Sequence, residues 1–211
     1  KHLDHSTDIN VTAEAMTGGG FECQGTVVLT EDSFMGTGPV FQKYIGKKVE
    51  SVIIAEDGKR IDLGNGIFAE PVLHIHHGVD CYGYIFRKKG LRTWGLISDT
   101  RPLNHLAERY SECSFISMNV TFPNKKPRLD HMSVEDAAEL LLKLHPKLVI
   151  TAHMGSMIID SGPERNIKMM STKETKVIAG QDGMIVDLDS LKIYEEIRGE
   201  PIESSYALIE E

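Results

Sequence analysis

The sequence predicts a layered α/β domain whose polar side chains gather at the ends of strands. Three observations carry this. Residues 25–30, 49–78 and 82–100 are short apolar runs divided by turn signals. Residues 113–153 then read as strand, helix, strand. His77, Asp99 and His153 each stand where a strand ends. Strands followed by a strand–helix–strand unit pack as layers around one core, and polar groups converging at strand ends are the usual material of a site.

Taken in order, Ser6 and Thr7 are candidate caps for a short helix or turn through Ile9, Val11, Ala13 and Met16, stopped by glycines 18 to 20. "GTVVLT" (25–30) is a strand, and "MGTGPVFQKYIG" (35–46) is a surface connection or a lid. Residues 49–78 read as a hairpin and a further strand, broken at Asp57-Gly58 and at Gly64-Asn65-Gly66. Residues 82–100 form a hairpin turning at Lys89-Gly90, and its second strand delivers Asp99. "CSFISMNV" (113–120) is a buried strand. In "SVEDAAELLLKLH" (133–145), Ser133 and Asp136 fit a capping box, Val134, Ala137, Ala138, Leu141 and Leu144 share one face, and Pro146 ends the helix. "KLVITAH" brings His153 to a strand exit, and "TKVIAGQDGMIVDL" reads as a final strand pair turning near Asp182-Gly183.

With 211 residues, 41% hydrophobic and 26% charged, the chain is one domain with a full core. A net charge of −8 repels a phosphate backbone, so binding a long nucleic acid needs a local basic patch. Arg87-Lys88-Lys89-Gly90-Leu91-Arg92 and Lys125-Lys126-Pro127-Arg128 are two such stretches, or else solvated turns. Cys23, Cys81 and Cys113 are odd in number and far apart, which excludes a disulfide framework and fits a reducing cytoplasm. No apolar run approaches bilayer length, so no membrane partner is expected.

The chemistry collects in the nine histidines and their neighbouring aspartates. His2, Asp4 and His5 crowd the first turn, and His131 lies just before a helix cap. Each has a plain structural role open to it: a surface hydrogen bond for a strand-end histidine, a turn cap for Asp99, a helix cap for Asp4 or Ser6. Imidazoles and carboxylates brought to strand ends are equally the ligands that suit Zn, Mn or Fe. In "LHIHHG", a regular strand puts His74 and His76 on one face and His77 on the other. Spacing to Gly83-Tyr84 favours His77 as the functional residue, then His76, then His74. His145 at a helix end and His105 on a helix surface read as structural.

Five stretches in order resemble the metallo-β-lactamase fold superfamily. "HLDHSTDI" is similar to the tail of its His-x-His-x-Asp-His motif, with the first histidine falling one position before Lys1. "HHGVDCYGYIF", "WGLISDT", "LDHMSVEDAAELLLKLHPKLVITAHMG" and "VIAGQDGM" resemble its later ligand segments, the last in the manner of the ribonuclease Z-like and phosphodiesterase-like branch. The resemblance implies one domain over 1–211, an αββα four-layer sandwich whose N-terminal strands are absent from this chain. An upstream segment of the same protein is therefore expected, with a depleted first sheet here. It implies two divalent transition metals, Zn first and Mn or Fe also accepted. His2 and His77 hold one; Asp4, His5 and His153 hold the other; Asp99 bridges them. His131 handles the leaving-group proton rather than a metal.

Two such metals lower the pKa of a shared water, and an acid opposite it protonates the departing oxygen. Fold alone does not choose the bond cleaved. His131 and the "QDGM" end favour a phosphodiester, a small one or a short oligonucleotide given the acidic charge. A thioester or lactone hydrolase, and a non-catalytic or regulatory metal-binding member of the fold, are the alternatives. Oligomeric state, a homo-oligomer included, is left open.

Overall fold

A computed structural model describes residues 1–196 and 206–208. The chain opens with two helices, α1 (Leu3–Ser6) and α2 (Ile9–Met16). Neither Ser6 nor Thr7 caps α2: Asp8 holds the cap position without a side-chain bond, and Ser6 Oγ instead donates to the His2 carbonyl at 2.8 Å. Ile9, Ala13 and Met16 recur at helical spacing and pack one stripe of α2 against a small layer. That layer is a parallel pair, β1 (Thr26–Leu29) and β2 (Ser51–Ile54), registered Val27 to Val52 and Leu29 to Ile54. Between them run α3 (Glu31–Phe34) and α4 (Lys43–Gly46). Phe41 and Ile45 are buried there while Met35, Gln42, Lys43 and Tyr44 stay exposed, so residues 35–46 are a surface connection anchored in this small core by two side chains.

This corrects the hairpin expected from residue 49 onward. β2 pairs with the distant β1 because Val27, Leu29, Val52 and Ile54 together cover Ala13, Phe41 and Ile45, an apolar burial that a local pairing does not offer. The hairpin that does form joins β3 (Ile61–Asp62) to β4 (Ile67–His76) across Gly64, Asn65 and Gly66, all at positive φ.

β3 is the edge of a seven-stranded sheet that continues in chain order through β4, β5 (Val79–Lys88), β6 (Trp94–Ile97), β7 (Phe115–Asn119), β8 (Leu148–Ala152) and β9 (Lys176–Ala179). Pairing is antiparallel from β3 to β6 and parallel from β6 to β9. The longest ladder is β4–β5, closed by His77 and Gly78 at φ 45° and 72°. Two positive φ angles match the right-handed twist of the flanking strands. One face of the sheet buries Val72, Ile85, Ile97, Ile116, Met118 and Val149. It packs under α5 (Leu106–Arg109) and α6 (Val134–Leu144), which contribute Leu106, Leu141 and Leu144. The capping box of α6 forms as expected: Ser133 Oγ accepts from Asp136 N at 3.1 Å and Asp136 Oδ2 from Ser133 N at 3.1 Å. β8 is buried along four of its five residues, as a parallel strand covered on both faces is.

Beyond β8 come α7 (Ser156–Ser161) and α8 (Pro163–Ile167). Strands β10 (Ile185–Val186), β11 (Ile193–Glu196) and β12 (Tyr206–Leu208) make a separate three-stranded sheet. β9 and β10 are therefore not the strand pair the sequence suggested. The chain leaves the large sheet after β9, and Met184, Val186 and Leu188 pack on the second face of that sheet, where Phe115, Leu148 and Ile150 are buried. The mixed central sheet, its helical cover and the small parallel pair beside it give the layered α/β architecture expected, with a depleted first sheet. No helix among the described residues is long and apolar enough to cross a membrane.

Candidate metal centre

Four segments converge on Asp99. His2 precedes α1 in extended conformation and the helix turns Asp4 and His5 toward the sheet. His76 and His77 form the β4–β5 corner. Asp99 follows β6 and is buried. His131 precedes the α6 cap, and His153 follows β8 in a left-handed conformation at φ 50°. β4, β6 and β8 stop at the same end of the mixed sheet and deliver such groups from rigid backbone.

The Asp99 carboxylate is the hub. His5 Nε2 donates to its Oδ2 at 3.0 Å; His153 Nε2 lies 3.3 Å and His76 Nε2 3.6 Å from the same oxygen. Oδ1 accepts from Asn119 Nδ2 at 2.9 Å, with His131 Nδ1 4.0 Å away. Burial pushes the carboxyl up, but the hydrogen bonds from His5 and Asn119 and the nearby imidazoles more than reverse this, holding it well below the usual carboxylate range. The bond to Asp99 raises His5. Burial, then the neighbouring His76, lowers His2.

Two groups of ligand atoms form, each within 4.8 Å: Asp4, His5 and His153, and His76, His77 and His131. In the first, Asp4 Oδ2 lies 3.7 Å from His5 Nε2 and 3.5 Å from His153 Nε2. Beside the second, His2 Nδ1 faces His76 Nε2 at 3.1 Å. Imidazole nitrogens and carboxylates gathered around a buried anion, with no lysine or arginine among the described residues reaching that anion, form a donor set that fits divalent metal ions.

The surrounding residues fix the donors. Asp130 accepts at its carbonyl from His76 Nδ1 at 2.8 Å and at Oδ2 from His77 N at 2.9 Å. That leaves His76 Nε2 aimed inward with its tautomer set. Thr121 Oγ1 pairs with His131 Nδ1 at 3.0 Å, and the Phe122 ring meets the His131 ring edge-on. Desolvation lowers the His131 pKa, opposed by Asp99 and reinforced by the other imidazoles. His74 shares the buried face with His76 but stands apart, between Ser98 Oγ at 3.1 Å and Tyr110 Oη at 3.2 Å. Burial first, then the charge of His105, takes it down to about 3, so it is a neutral core residue. His105 Nε2 donates to the Leu73 carbonyl, and His145 ends α6 beside Glu174 at 3.2 Å. Both lie outside the cluster. Asn119, Thr121 and Asp130 were not singled out in the sequence. Their only signal was position, at a strand end and just before His131.

A cavity of about 260 Å³ reaches His2, His5, His76 and Asp99, bordered by Cys81 and Tyr82. A larger apolar groove of about 590 Å³ runs from His153 past Met154, Ile150, Phe115 and Trp94 to Met184.

The β-lactamase superfamily domain profile matches residues 1–154. The chain belongs to that family. Comparison with curated proteins gave no match. Among solved structures, the metallo-β-lactamase fold protein YhfI from Bacillus subtilis superposes with TM-score 0.65 at 13% identity, over 84% of this chain and 71% of that one. Igni18, a metallo hydrolase from the archaeon Ignicoccus hospitalis, gives 0.60 at 17% identity over 85% and 72%. A diphosphatase from the PhnP family gives 0.57 at 19% identity over 82% of this chain, which spans only 61% of the diphosphatase. At these identities the likeness is one of fold.

Proposed function

We propose that the protein is a dinuclear metal-dependent hydrolase of phosphodiesters, small ones or short oligonucleotides. The observation that carries this is the buried Asp99 carboxylate with His5, His153 and His76 within 3.6 Å of one of its oxygens. Asp4, His5 and His153 hold one ion; His2 and the His76–His77 corner hold the other; Asp99 lies between. Spacing alone favoured His77, and the geometry adds His76, whose Nε2 points at both His2 and Asp99. Zn is the first choice of metal, with Mn or Fe compatible with the same donors. Such ions, when bound, supply hydroxide near neutral pH and neutralise charge on the attacked group.

His131 is the proton carrier. It stands at the edge of the cluster with one ring nitrogen tethered to Thr121, which fixes the ring and leaves its other nitrogen for the substrate. A phosphodiester anion approaching an imidazole raises its pKa, which favours the protonated form that donates to the departing oxygen. Asp99 and Asn119 hold the donor array, and Asp130 holds the corner. The three free cysteines suit a reducing compartment such as the cytoplasm.

Metal-loaded protein assayed against bis(p-nitrophenyl) phosphate tests the reading: turnover is expected, with a large loss in His131→Ala. The apolar groove beside His153 favours a second reading, in which an acyl chain lies there and the substrate is a thioester or lactone. Turnover of a thioester or lactone panel alone, unaffected by His131→Ala, selects that reading and removes the first.

A further inference from the structure

We propose that Arg101 recognises a second anionic group on the substrate, a terminal phosphate on the leaving-group side of the scissile bond. The proposal rests on the phosphodiester reading and narrows its substrate class.

Arg101 follows Asp99 by two residues, and its backbone is fixed. Its N–H donates to the Ile75 carbonyl at 3.1 Å, and its carbonyl accepts from the fully buried Thr100 hydroxyl at 2.9 Å. The side chain is half-exposed, and its guanidinium makes no hydrogen bond among the described residues. Its one ionic contact is 3.9 Å, from Nη1 to Asp130 Oδ1. The other arginines whose forks meet acceptors are committed: Arg87 to Glu70 and Glu112, Arg109 to Asp57 and Glu70, and Arg92 to the Asp189 carbonyl.

The contact to Asp130 places the free fork. The second carboxylate oxygen of Asp130 accepts from His77 N, and the next residue in the chain is His131. Arg101 thus reaches the residue that immediately precedes the proton carrier, an exposed rim position that we assign to the leaving-group side. A long, exposed ion pair contributes little and is readily exchanged for a better anion. A planar guanidinium offers parallel donors that match two phosphate oxygens. Lys126 and Arg128 are exposed on the loop that leads to His131 and add positive charge to that loop. Against a net charge of −8, this rim selects a compact anion rather than a long polyanion.

The test is calorimetric binding of the thymidine dinucleotides dTpdT, pdTpdT and dTpdTp to metal-loaded protein. The same preparation is assayed in parallel on bis(p-nitrophenyl) phosphate. At least one terminally phosphorylated dinucleotide is expected to bind about tenfold more tightly than dTpdT, the scale of one charge-assisted contact. Arg101→Gln should erase that gain and Arg101→Lys should restore part of it, with thermal unfolding confirming that both variants fold. Equal affinity for all three dinucleotides, or a gain that survives Arg101→Gln, overturns the proposal while bis(p-nitrophenyl) phosphate is still turned over. Loss of both dinucleotide binding and bis(p-nitrophenyl) phosphate turnover instead removes the phosphodiester reading, and this proposal with it.

Discussion

His5 Nε2 lies 3.0 Å from Asp99 Oδ2, tying the first helical turn of the chain to the end of β6. The bond spans 94 residues of sequence and, with the His2–His76 contact, joins the N-terminal segment to the large sheet. A carboxylate held this far below its ordinary range stays ionised at any working pH and is a permanent anion for cations to share. Asp99→Asn keeps the shape and removes the charge. We expect a loss of metal affinity of about 10²-fold or more, since even outer contacts of a metal site cost 10–100-fold. Equilibrium dialysis with elemental analysis measures it; unchanged stoichiometry and affinity would contradict the central role given to Asp99.

Asn119 Nδ2 donates to Asp99 Oδ1 at 2.9 Å, so it fixes which carboxylate oxygen faces the histidines. Asn119→Ala should weaken metal binding about 10–100-fold. The stability cost of the lost bond is about 1 kcal/mol. A urea titration of the metal-free protein separates the two effects. If stability falls and affinity does not, Asn119 serves the fold alone.

The corner residues divide unequally. His76 is buried and 3.1 Å from His2, whereas His77 is exposed, at the turn, and its ring lies farther from His2, with centroids 6.1 Å apart. His76→Ala should therefore lower affinity for the ion beside His2 more than His77→Ala does. Paired metal titrations of the two variants read this directly, and the reverse order would return the assignment to the one spacing alone favours.

The sheet was legible because its strands are short apolar runs cut by glycine turns, and α6 because its cap and apolar face agree. Pairing partners were legible where a tight turn joins the strands, as at Lys89-Gly90 between β5 and β6, and not elsewhere. β2 reads as half of a local hairpin until the burial of Phe41 and Ile45 is known, and β10 reads as the partner of β9 until Met184 and Leu188 are seen on the second face of the sheet. Tertiary burial decides such pairings, and period-2 patterning does not carry that information. His2, Asp4, His5, Asp99, His131 and His153, which the structure brings together, were reached as candidates because their order along the chain resembles a family pattern. Asn119, Thr121 and Asp130 act through geometry alone, and an asparagine at a strand end gives no chemical signal of its own.

Gly83 sits where β5 crosses the His74–Tyr110 pair. A Cβ there would stand 2.1 Å from Tyr110 Oη, 2.4 Å from His74 Cε1 and 2.4 Å from the Leu96 carbonyl. All three belong to one network, in which Tyr110 Oη donates to the Leu96 carbonyl at 3.0 Å. Gly83→Ala must therefore displace core groups and should destabilise by about 1–3 kcal/mol. Chemical denaturation gives the number, and a change under about 0.5 kcal/mol, the scale of an ordinary surface substitution, would show that the network yields freely.

Cys113 gives the fold an alkaline limit. Burial, and then the charge of Glu112, pushes its thiol up to about 12. The unfolded chain releases that proton near the ordinary value of 9.0, so the folded state holds more protons above it. The stabilisation is complete below about pH 9 and is lost as pH rises toward 12, at up to about 1.4 kcal/mol per pH unit. Tyr84, pushed by burial up to about 12 from 10.0, adds a second decline beginning one unit higher. The interval from pH 9 to 10 therefore reports the thiols. Cys113→Ala should flatten the stability profile there, leaving the smaller slope of Cys81, which burial also raises. Urea midpoints taken between pH 8 and 11 on the two proteins test this. Parallel profiles would mean that Cys113 ionises alike in both states and that its burial carries no pH dependence.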